Sequence, residues 1–317
     1  MSSIKATLSN LLDQVQYPAH PYTSTHCDEM ESITRAWIDQ YDCLTPEIRY
    51  KAKISSYGVL TADVLPRADM QTLKPITRWM LWAFIFDDFY GPYPKDELKR
   101  ICRNALATIS NEPIPPANAI FDQLRITCAE LREQTTPQWM NRFLKSHKFY
   151  FQGLLMDTFS YKEHRTYPTE EQYFKIRDRL IGGFMVMDLL ELISDKIMPD
   201  EIIYHPDIHR MRLLASRLMI YDNDIFSYQK ELLEGESMNL VLVIANERGI
   251  SIEKALKETI RIRKKDYLEL LAFNRKIGQF GKWSRQVLQY WENTMILLEG
   301  QLKWYKIKSQ RYGITND

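Results

Sequence analysis

The sequence has few of the residues that mark phosphate-binding loops, metal clusters and disulfide frameworks. Glycine occurs only eleven times in 317 residues, and no G-x-G-x-x-G or G-x-x-x-x-G-K-[ST] pattern is present. Dinucleotide-binding and P-loop folds therefore have no support. The four cysteines form no C-x-x-C pair and no cluster with histidine. A zinc site and a disulfide framework are not expected, and a reducing compartment is.

Long apolar runs and an excess of charge of one sign are lacking as well. No stretch approaches eighteen apolar residues, and segment 1–16 lacks the apolar core of a signal peptide. A membrane span is therefore not expected, and we expect a cytoplasmic protein. Forty-two Lys and Arg balance forty-one Asp and Glu. This balance removes the usual electrostatic reason to expect a nucleic-acid partner.

Apolar residues at helical spacing are abundant. They recur three and four residues apart, as at Leu73, Ile76 and Met80, and no alternation typical of strands reaches a useful length. The intervening breaks are short and polar or contain proline. At one break, Thr169 and the two acids after it predict a helix start, because acidic residues are favourable near the positive end of a helix dipole. The pattern predicts an all-α protein of about ten helices, with residues 1–317 forming one domain.

Asp87 and Asp88 end a strongly apolar helical segment. Met80, Ala83 and Phe84 lie seven, four and three residues before Asp87, so Asp87 shares their helix face. A carboxylate near a helix C-terminus opposes the helix dipole, which makes a plain capping role unfavourable. Asp87 is therefore either a helix end that reaches solvent or a ligand for a cation.

Asn223, Ser227 and Glu231 are spaced four residues apart, which places them in one line on a helix face. An amide oxygen, a hydroxyl and a carboxylate form an oxygen ligand set that suits Mg²⁺. The alternative interpretation is a solvated polar face.

A third group of residues suits the recognition of phosphate. Arg177 lies in the segment FKIRDRLIGGF, and Arg311-Tyr312 lies close to the end of the sequence. Arginine can bind phosphate through two parallel hydrogen bonds, and tyrosine adds a hydroxyl donor. Trp304 lies seven residues before Arg311, so the two share a face if the segment is helical. Taken singly, each arginine is better explained by a surface position.

Together, these three groups resemble the motifs of class I terpene synthases of the microbial kind with a single α domain. Residues 223–231, NDIFSYQKE, match the family pattern (N/D)D-x-x-(S/T)-x-x-K-E at every defined position. Arg177 lies forty-six residues before Asn223, where the family carries a diphosphate-sensing arginine. Arg311-Tyr312 matches the family's terminal RY pair. The resemblance implies a helical bundle around a central apolar pocket.

The resemblance also implies an enzyme that ionises and cyclises a linear isoprenyl diphosphate. The substrate would be C15 farnesyl or C20 geranylgeranyl diphosphate, the C15 chain being commoner among such enzymes, and the products a cyclic terpene or terpene alcohol and diphosphate. Three Mg²⁺ ions are expected, with ligands from Asp87, Asp88, Asn223, Ser227 and Glu231. The implied substrate-binding residues are Arg177, Asn223, Lys230, Arg311, Tyr312, Phe84, Phe184 and Trp304, with Trp82 and Phe86 as further candidates for the lining. The implied catalytic residues are Asp87, Arg177, Lys230, Arg311 and Tyr312.

The chain departs from the family pattern at two places. The aspartate motif often has a further acid two or three residues after the second Asp, where this sequence has Tyr90 and Gly91. The alternative for Asp88 is therefore an ion pair with an arginine. Related bacterial enzymes often carry a polar residue three positions after the sensor arginine, where this sequence has Leu180. Residues 182–183, two glycines, would still permit the helix break that such enzymes use.

Two other functions are compatible with a helical chain of this composition. A chain-elongating prenyl transferase shares the fold and the chemistry, but it carries a second aspartate-rich motif that this sequence lacks. A non-catalytic helical binding protein has no need for all three polar groups. The sequence does not determine the product, and it leaves open whether the chain forms a homodimer.

Overall fold

The computed structural model describes residues 12–162, 164 and 166–308, with only the backbone at 159, 162, 307 and 308. Fourteen α-helices and no strand occur in these ranges, which confirms the all-α prediction. The helices are α1 (Cys27–Asp39), α2 (Pro46–Ile54), α3 (Tyr57–Val64), α4 (Met70–Tyr90), α5 (Lys95–Ile109), α6 (Ala119–Gln134), α7 (Pro137–Asp157), α8 (Glu170–Leu180), α9 (Gly183–Leu189), α10 (Asp200–Ile203), α11 (Pro206–Glu234), α12 (Leu240–Arg248), α13 (Ile252–Ala272) and α14 (Ser284–Lys303). The helices outnumber the roughly ten expected from periodicity, because short helices such as α3, α9 and α10 cover too few turns to produce a clear pattern. None of the helices described is both long and apolar enough to cross a bilayer.

The sequence signals at helix ends explain where two important helices begin and end. Thr169 and Gln172 form a reciprocal capping box at the start of α8, as the sequence predicted. α11 begins with Pro206 in its first turn and ends at Gly235, whose φ of 73° is the left-handed conformation that favours glycine. α11 is the longest of the described helices, and its C-terminal half carries the Asn/Ser/Glu line.

The two glycines at residues 182–183 separate α8 from α9. Gly182 has a φ of 75°, a conformation that costs glycine little. A Cβ atom at Gly183 would lie 2.2 Å from the Ser216 Oγ atom of α11, so only glycine allows this close approach. The break expected from the sequence is therefore present, and it turns the chain from α8 towards α11. The Gly182 carbonyl accepts backbone N–H groups of Met185 and Val186 in the first turn of α9.

Buried ion pairs fix the helices that surround the centre of the bundle. Arg142 of α7 contacts Glu191 at 2.9 Å, and both side chains are almost completely buried. Arg212 of α11 pairs with Asp188 of α9. Since an unpaired charge at such a position would be strongly destabilising, these pairs require α7, α9 and α11 to pack in one arrangement.

Candidate active site

A cavity of about 470 Å³ lies at the centre of the described part of the bundle. Its lining is divided by chemistry into two walls. We call Asp87, Asp88, Asn223, Lys230 and Glu231 the polar wall, and Trp79, Phe84, Met219, Leu297 and Trp304 the apolar wall. Both α4 and α11 contribute apolar residues first and polar residues one or two turns later. A ligand with a charged head and an apolar chain fits such a cavity.

α4 presents the face that the sequence predicted. Met80, Ala83, Phe84 and Asp87 all line the cavity, as their helical spacing requires. Asp87 is exposed, and its carboxylate accepts a hydrogen bond from the Tyr150 hydroxyl of α7. Burial, followed by the Asp87 charge, raises the pKa of Tyr150 well above its ordinary value. Tyr150 therefore stays protonated and orients one carboxylate without neutralising its charge.

Asp88 has a different environment from Asp87. Its Oδ1 atom lies 2.6 Å from the Nζ atom of Lys51 on α2, and the Asp88 side chain is only 9% exposed. Lys51 also lines the cavity. Lys51 was not predicted from the sequence. Helix α2 is short and contains two lysines, and no local pattern distinguishes the one that faces α4. Asp88 is thus paired with a lysine in this structure, and the arginine pair considered from the sequence for a closed site stays a prediction.

Asn223 is held from two sides. Its Oδ1 atom accepts a hydrogen bond of 2.7 Å from the Arg177 guanidinium of α8, and its Nδ2 atom donates to the Tyr305 hydroxyl at 3.0 Å. Arg177 also pairs with the buried carboxylate of Asp224 at 2.7 Å. The first residue of the Asn/Ser/Glu line is therefore oriented by α8 and by the turn that follows α14.

Asn239 organises the other two members of the line. This buried residue is the N-cap of α12, and its Nδ2 atom lies 2.9 Å from Glu231 Oε2 and 3.4 Å from Ser227 Oγ. It also donates to the Asp224 carbonyl at 2.9 Å. The sequence analysis missed Asn239. The signal available was an asparagine directly before the apolar run 240–244, which predicts a helix cap but not its contacts.

The electrostatics of Glu231 favour a nearby cation. Burial, and after it the Asp224 charge, raises the pKa of Glu231. Arg177 and the hydrogen bonds from Asn239 and Ser227 lower that pKa, but they do not offset the rise. A partly buried carboxylate in this position gains stability when another positive charge approaches.

Two of the three cationic residues expected from the motifs, Arg177 and Lys230, line the cavity. Lys230 pairs with Glu234 one turn along α11, with a distance of 2.7 Å between Nζ and Oε2. Arg177 has a buried Nε–H group for which the described residues provide no acceptor. A buried guanidinium N–H without a partner is a donor available to an anionic ligand.

Two of the predicted aromatic residues lie on the cavity wall. Phe84 stacks on Tyr57 with ring centroids 4.6 Å apart, and Trp304 lies 6.3 Å from Phe84. The Trp304 indole nitrogen donates to the Ser55 carbonyl at 2.8 Å. The C-terminal turn is thereby attached to the start of α3 and adds an aromatic face to the cavity.

Phe184 does not line the cavity, which corrects the sequence-based expectation. Its ring packs 5.5 Å from His209 and 5.6 Å from Phe149, with the Arg212 guanidinium 5.3 Å above it. The break at residues 182–183 rotates the start of α9, so that Met185 and Val186 line the cavity while Phe184 does not. Sequence spacing could not give this rotation, because it depends on the left-handed conformation of Gly182.

Trp82 and Phe86 are also absent from the lining, and Trp79 is present in their place. The rings of Trp82 and Phe86 pack 5.1 Å apart in the core. Each follows a lining residue, Met80 or Phe84, by two positions, which correspond to about 200° of rotation, so each lies on a different side of α4 from that residue. Trp79 precedes Trp82 by three residues and Phe86 by seven, so helical spacing groups it with these two and does not distinguish it as a lining residue.

The structure gathers most of the predicted site residues around one cavity. Asp87, Asp88, Arg177, Asn223, Lys230 and Glu231 line it, and the buried Ser227 hydroxyl donates to Glu231. Arg311 and Tyr312 lie outside the described residues.

The donor set on α11 has the chemistry of a site for a hard cation. No three His, Cys, Asp or Glu residues cluster as a metal site within the ranges described. The α11 line is of another kind, because it combines an amide, a hydroxyl and a carboxylate oxygen. Such oxygens are the ligands that Mg²⁺ prefers, and Glu231 provides the negative charge. The residues present therefore fit Mg²⁺.

An all-α bundle with these two polar motifs around one apolar cavity defines the class I terpene synthases. The chain belongs to this family: residues 78–267, more than half of its length, match the family model "Terpene synthase family 2, C-terminal metal binding". The chain is accordingly an enzyme, a terpene cyclase. The family match also supports a metal cofactor.

Curated relatives agree with this assignment over most of their length. The chain is 24% identical over 305 residues to germacrene A synthase from Nostoc punctiforme, an alignment that covers 93% of each chain. It is 28% identical over 269 residues to a (+)-T-muurolol synthase from Roseiflexus castenholzii described as farnesyl diphosphate cyclizing, with 82% of this chain and 80% of the relative covered.

A solved structure shares the fold. The 2-methylisoborneol synthase of Streptomyces coelicolor, in complex with Mg²⁺ and geranyl-S-thiolodiphosphate, superimposes with a TM-score of 0.81 at 18% identity. The superposition covers 95% of this chain and 98% of that one.

Proposed function

We propose that this protein is a Mg²⁺-dependent cyclase that converts C15 farnesyl diphosphate into a cyclic sesquiterpene or sesquiterpene alcohol and releases diphosphate. One observation carries the proposal: Asp87 and the Asn223 to Glu231 line border the same apolar cavity. The cavity, about 470 Å³, falls in the range of roughly 300–1,000 Å³ usual for small-molecule pockets. Two relatives, the T-muurolol synthase and a 4-epi-cubebol synthase, are described as farnesyl diphosphate cyclizing, which supports C15 over C20.

In this proposal the polar wall binds metal and diphosphate. Asp87 on α4 and the Asn223, Ser227 and Glu231 side chains on α11 would hold Mg²⁺, with three ions in total. Bound Mg²⁺ supplies positive charge that stabilises the departing diphosphate. Asp88, paired with Lys51 at 2.6 Å, is the acid of the motif least available as a ligand.

Arg177 and Lys230 would bind the diphosphate oxygens directly. Arg177 has the unpartnered Nε–H group, and its Nη2 atom already contacts Asn223, so one guanidinium can join a metal ligand to the substrate. Lys230 is held by an exposed, weak pair with Glu234. A diphosphate carries more charge than a single carboxylate, so Lys230 can exchange Glu234 for the substrate at little cost.

The apolar wall would bind the isoprenyl chain. Leu297 and Met219 exclude water, while Phe84 and Trp304 offer aromatic faces. Exclusion of water protects a carbocation from early capture, and the negative faces of aromatic rings stabilise positive charge. The protein thus separates ionisation at one wall from cyclisation at the other.

We also propose that Arg311 and Tyr312 complete the diphosphate site and that residues 1–317 act as one domain. The position of Tyr305 supports the first part, because its hydroxyl accepts from Asn223 at 3.0 Å. The turn before the RY pair therefore already contacts the polar wall.

The proposal is tested by incubating the purified protein and Mg²⁺ with C10, C15, C20 and C25 isoprenyl diphosphates and analysing the volatile products. We expect a cyclic C15 hydrocarbon or alcohol from farnesyl diphosphate alone, and none from a Glu231→Ala control. A lengthened diphosphate formed only when isopentenyl diphosphate is added would identify a prenyl transferase instead. No turnover of any substrate would reject both activities.

A further inference from the structure

A neutral polar pair lies behind the apolar wall. His147 of α7 is completely buried, and its Nε2 atom accepts a hydrogen bond of 2.9 Å from the indole Nε1–H of Trp79. Its Nδ1 atom lies 2.8 Å from the Phe143 carbonyl oxygen. An indole nitrogen can only donate, so His147 must accept at Nε2 and donate from Nδ1. The two contacts together require one tautomer of a neutral imidazole.

The hydrogen bond distinguishes between two tryptophans. Trp79 and Trp82 flank His147 at almost equal centroid distances, 5.9 Å and 6.0 Å. The buried Trp82 Nε1–H finds no partner among the described residues, and Trp82 does not line the cavity. Trp79 does line it. The single acceptor of His147 is thus engaged by the tryptophan that borders the cavity.

The aromatic rings that surround His147 do not require a polar side chain at this position. The rings of Phe143 and Phe151 lie 4.3 Å and 6.4 Å from its own, so the environment is apolar and an aliphatic side chain would satisfy packing. Burying two polar groups is costly unless they bond to each other with good geometry. The hydrogen bond fixes the orientation of the Trp79 indole, because an indole that is bonded through its N–H cannot rotate freely about its side-chain torsions.

We propose that His147 is a positioning residue that fixes the Trp79 indole plane against the substrate's hydrocarbon chain and so determines which cyclic product forms. This inference rests on the proposed cyclase function. The shape of the apolar wall controls how the chain folds before and during cyclisation, and a ring that tilts changes that shape. His147 touches no reacting atom and acts only through Trp79.

The chain offers matched variants for a test. His147→Leu removes the acceptor, and His147→Gln retains one acceptor and one donor. Trp79→Phe retains a ring without the N–H. Trp82→Phe is the control, since it alters the tryptophan that flanks His147 without lining the cavity.

The first readout is spectroscopic and independent of turnover. In a ¹⁵N-tryptophan-labelled protein, Trp79→Phe identifies the Trp79 indole signal among the seven tryptophans. We expect that signal to lie at a hydrogen-bonded shift in the wild type, to move in His147→Leu and to return in His147→Gln. An unmoved signal in His147→Leu would overturn the pairing whether or not the protein cyclises farnesyl diphosphate.

The second readout is the product mixture from farnesyl diphosphate. We expect His147→Leu to lower the share of the main product, with His147→Gln restoring it and Trp82→Phe leaving it unchanged. In a Trp79→Phe background, His147→Leu should cause no further change, because residues that act through one another are not additive. Equal effects in both backgrounds, or an unchanged mixture in His147→Leu, would overturn the positioning role. If His147→Leu does not fold, Trp79→Phe must still lower the share of the main product, and His147→Gln must keep both the product mixture and the Trp79 indole signal of the wild type, for the inference to stand.

Discussion

The polar and apolar walls of the cavity satisfy their buried polar groups in opposite ways. On the polar wall, cations and acids from different elements pair with each other, as in Lys51 with Asp88 and Arg177 with Asp224. Behind the apolar wall, the neutral Trp79–His147 pair is enclosed by aromatic rings. Charge pairs near solvent can exchange partners for a charged ligand, whereas a neutral pair in the core keeps its geometry. The polar wall is therefore suited to binding a charged ligand, whereas the apolar wall is suited to keeping the shape of the cavity fixed.

Burial also differs along the polar wall itself. The Arg177–Asp224 pair is buried, while Lys230 and Glu234 are 31% and 48% exposed. Exposed pairs of this kind contribute only about 0–1 kcal/mol. The Lys230 pair can therefore open when a ligand arrives, and the Arg177 pair maintains the position of α8 against α11.

The largest effect is expected at the acids of the polar wall. Asp87→Ala and Glu231→Ala should each abolish turnover and leave the helical fold intact, because each removes a charged ligand from the metal site. Product analysis and circular dichroism measure the two properties. Glu234→Ala is the matched control, an exposed acid on the same helix that should keep most activity. Near-normal product formation by either of the first two variants would contradict the ligand assignment.

A strong effect is also expected at the C-terminal motif. Arg311→Ala should reduce cyclisation sharply and raise the share of water-captured alcohol, because the diphosphate then lacks one donor and the site excludes water less completely. Gas chromatography of the products measures both changes. Lys303→Ala is the control, since this exposed lysine pairs with Glu299. An unchanged product at an unchanged rate would remove Arg311 from the site.

Asn239→Ala should cause a smaller, metal-dependent loss. Without the Asn239 amide, Glu231 and Ser227 lose the donor that orients them, so more Mg²⁺ should be needed for half-maximal rate. Loss of the helix cap alone should cost about 1 kcal/mol of stability. Ser251→Ala, which removes the N-cap of α13, controls for that cost. If both variants show the same Mg²⁺ dependence as the wild type, Asn239 is only a cap.

Loss of the Lys51–Asp88 pair should lower turnover less than loss of Asp87. Asp88→Asn should lower turnover only moderately, and Lys51→Ala should lower it further than Asp88→Asn, because it removes a positive charge 2.6 Å from a mostly buried carboxylate. Rates for the single and double variants measure the coupling between the two residues. A loss in Asp88→Asn as complete as that in Asp87→Ala would make Asp88 a metal ligand.

The last expected effect is on the pH dependence of stability and not on turnover, and it belongs to the apolar wall. Burial lowers the pKa of His147 to about 4, against about 6.5 in the unfolded chain. Because the folded pKa is depressed, the contribution of the neutral imidazole is complete above pH 6.5. It is lost as the pH falls towards 4, by about 3 kcal/mol.

Urea unfolding at pH 7 and pH 4.5 measures this contribution. His147→Leu should show a smaller loss of stability between the two pH values than the wild type, and His209→Leu, which alters an exposed histidine, serves as the comparison. Identical pH dependence in His147→Leu and the wild type would mean that folding does not lower the pKa of His147.

Helix faces and helix ends were predicted well from the sequence, because they depend on residues that are close together in the chain. The line of Asn223 and Glu231 on α11, the start of α8 after Thr169 and the break at residues 182–183 were all predicted, because each follows from residues within a few turns. Asn239 and Lys51 were missed because their importance arises from contacts between helices.

The same limit explains the aromatic residues. Phe84 was expected on the cavity wall from the family resemblance, and it lies there on the helix face of Asp87. Trp79 could not have been inferred in this way, because helical spacing groups it with Trp82 and Phe86. Phe184 follows a left-handed glycine, so its direction depends on a backbone rotation that spacing does not encode. Periodicity predicts which residues share a helix face, whereas the packing of the helices determines whether that face contacts the core or the cavity.

The most direct test of the central claim, that the polar wall binds metal and diphosphate together, is thermal unfolding with Mg²⁺ and inorganic diphosphate. The wild type should be stabilised by the two ligands added together and by neither alone, since each needs the other's charge at this site. Glu231→Ala should lose that stabilisation. Equal stabilisation of both proteins, or none in the wild type, would contradict the account.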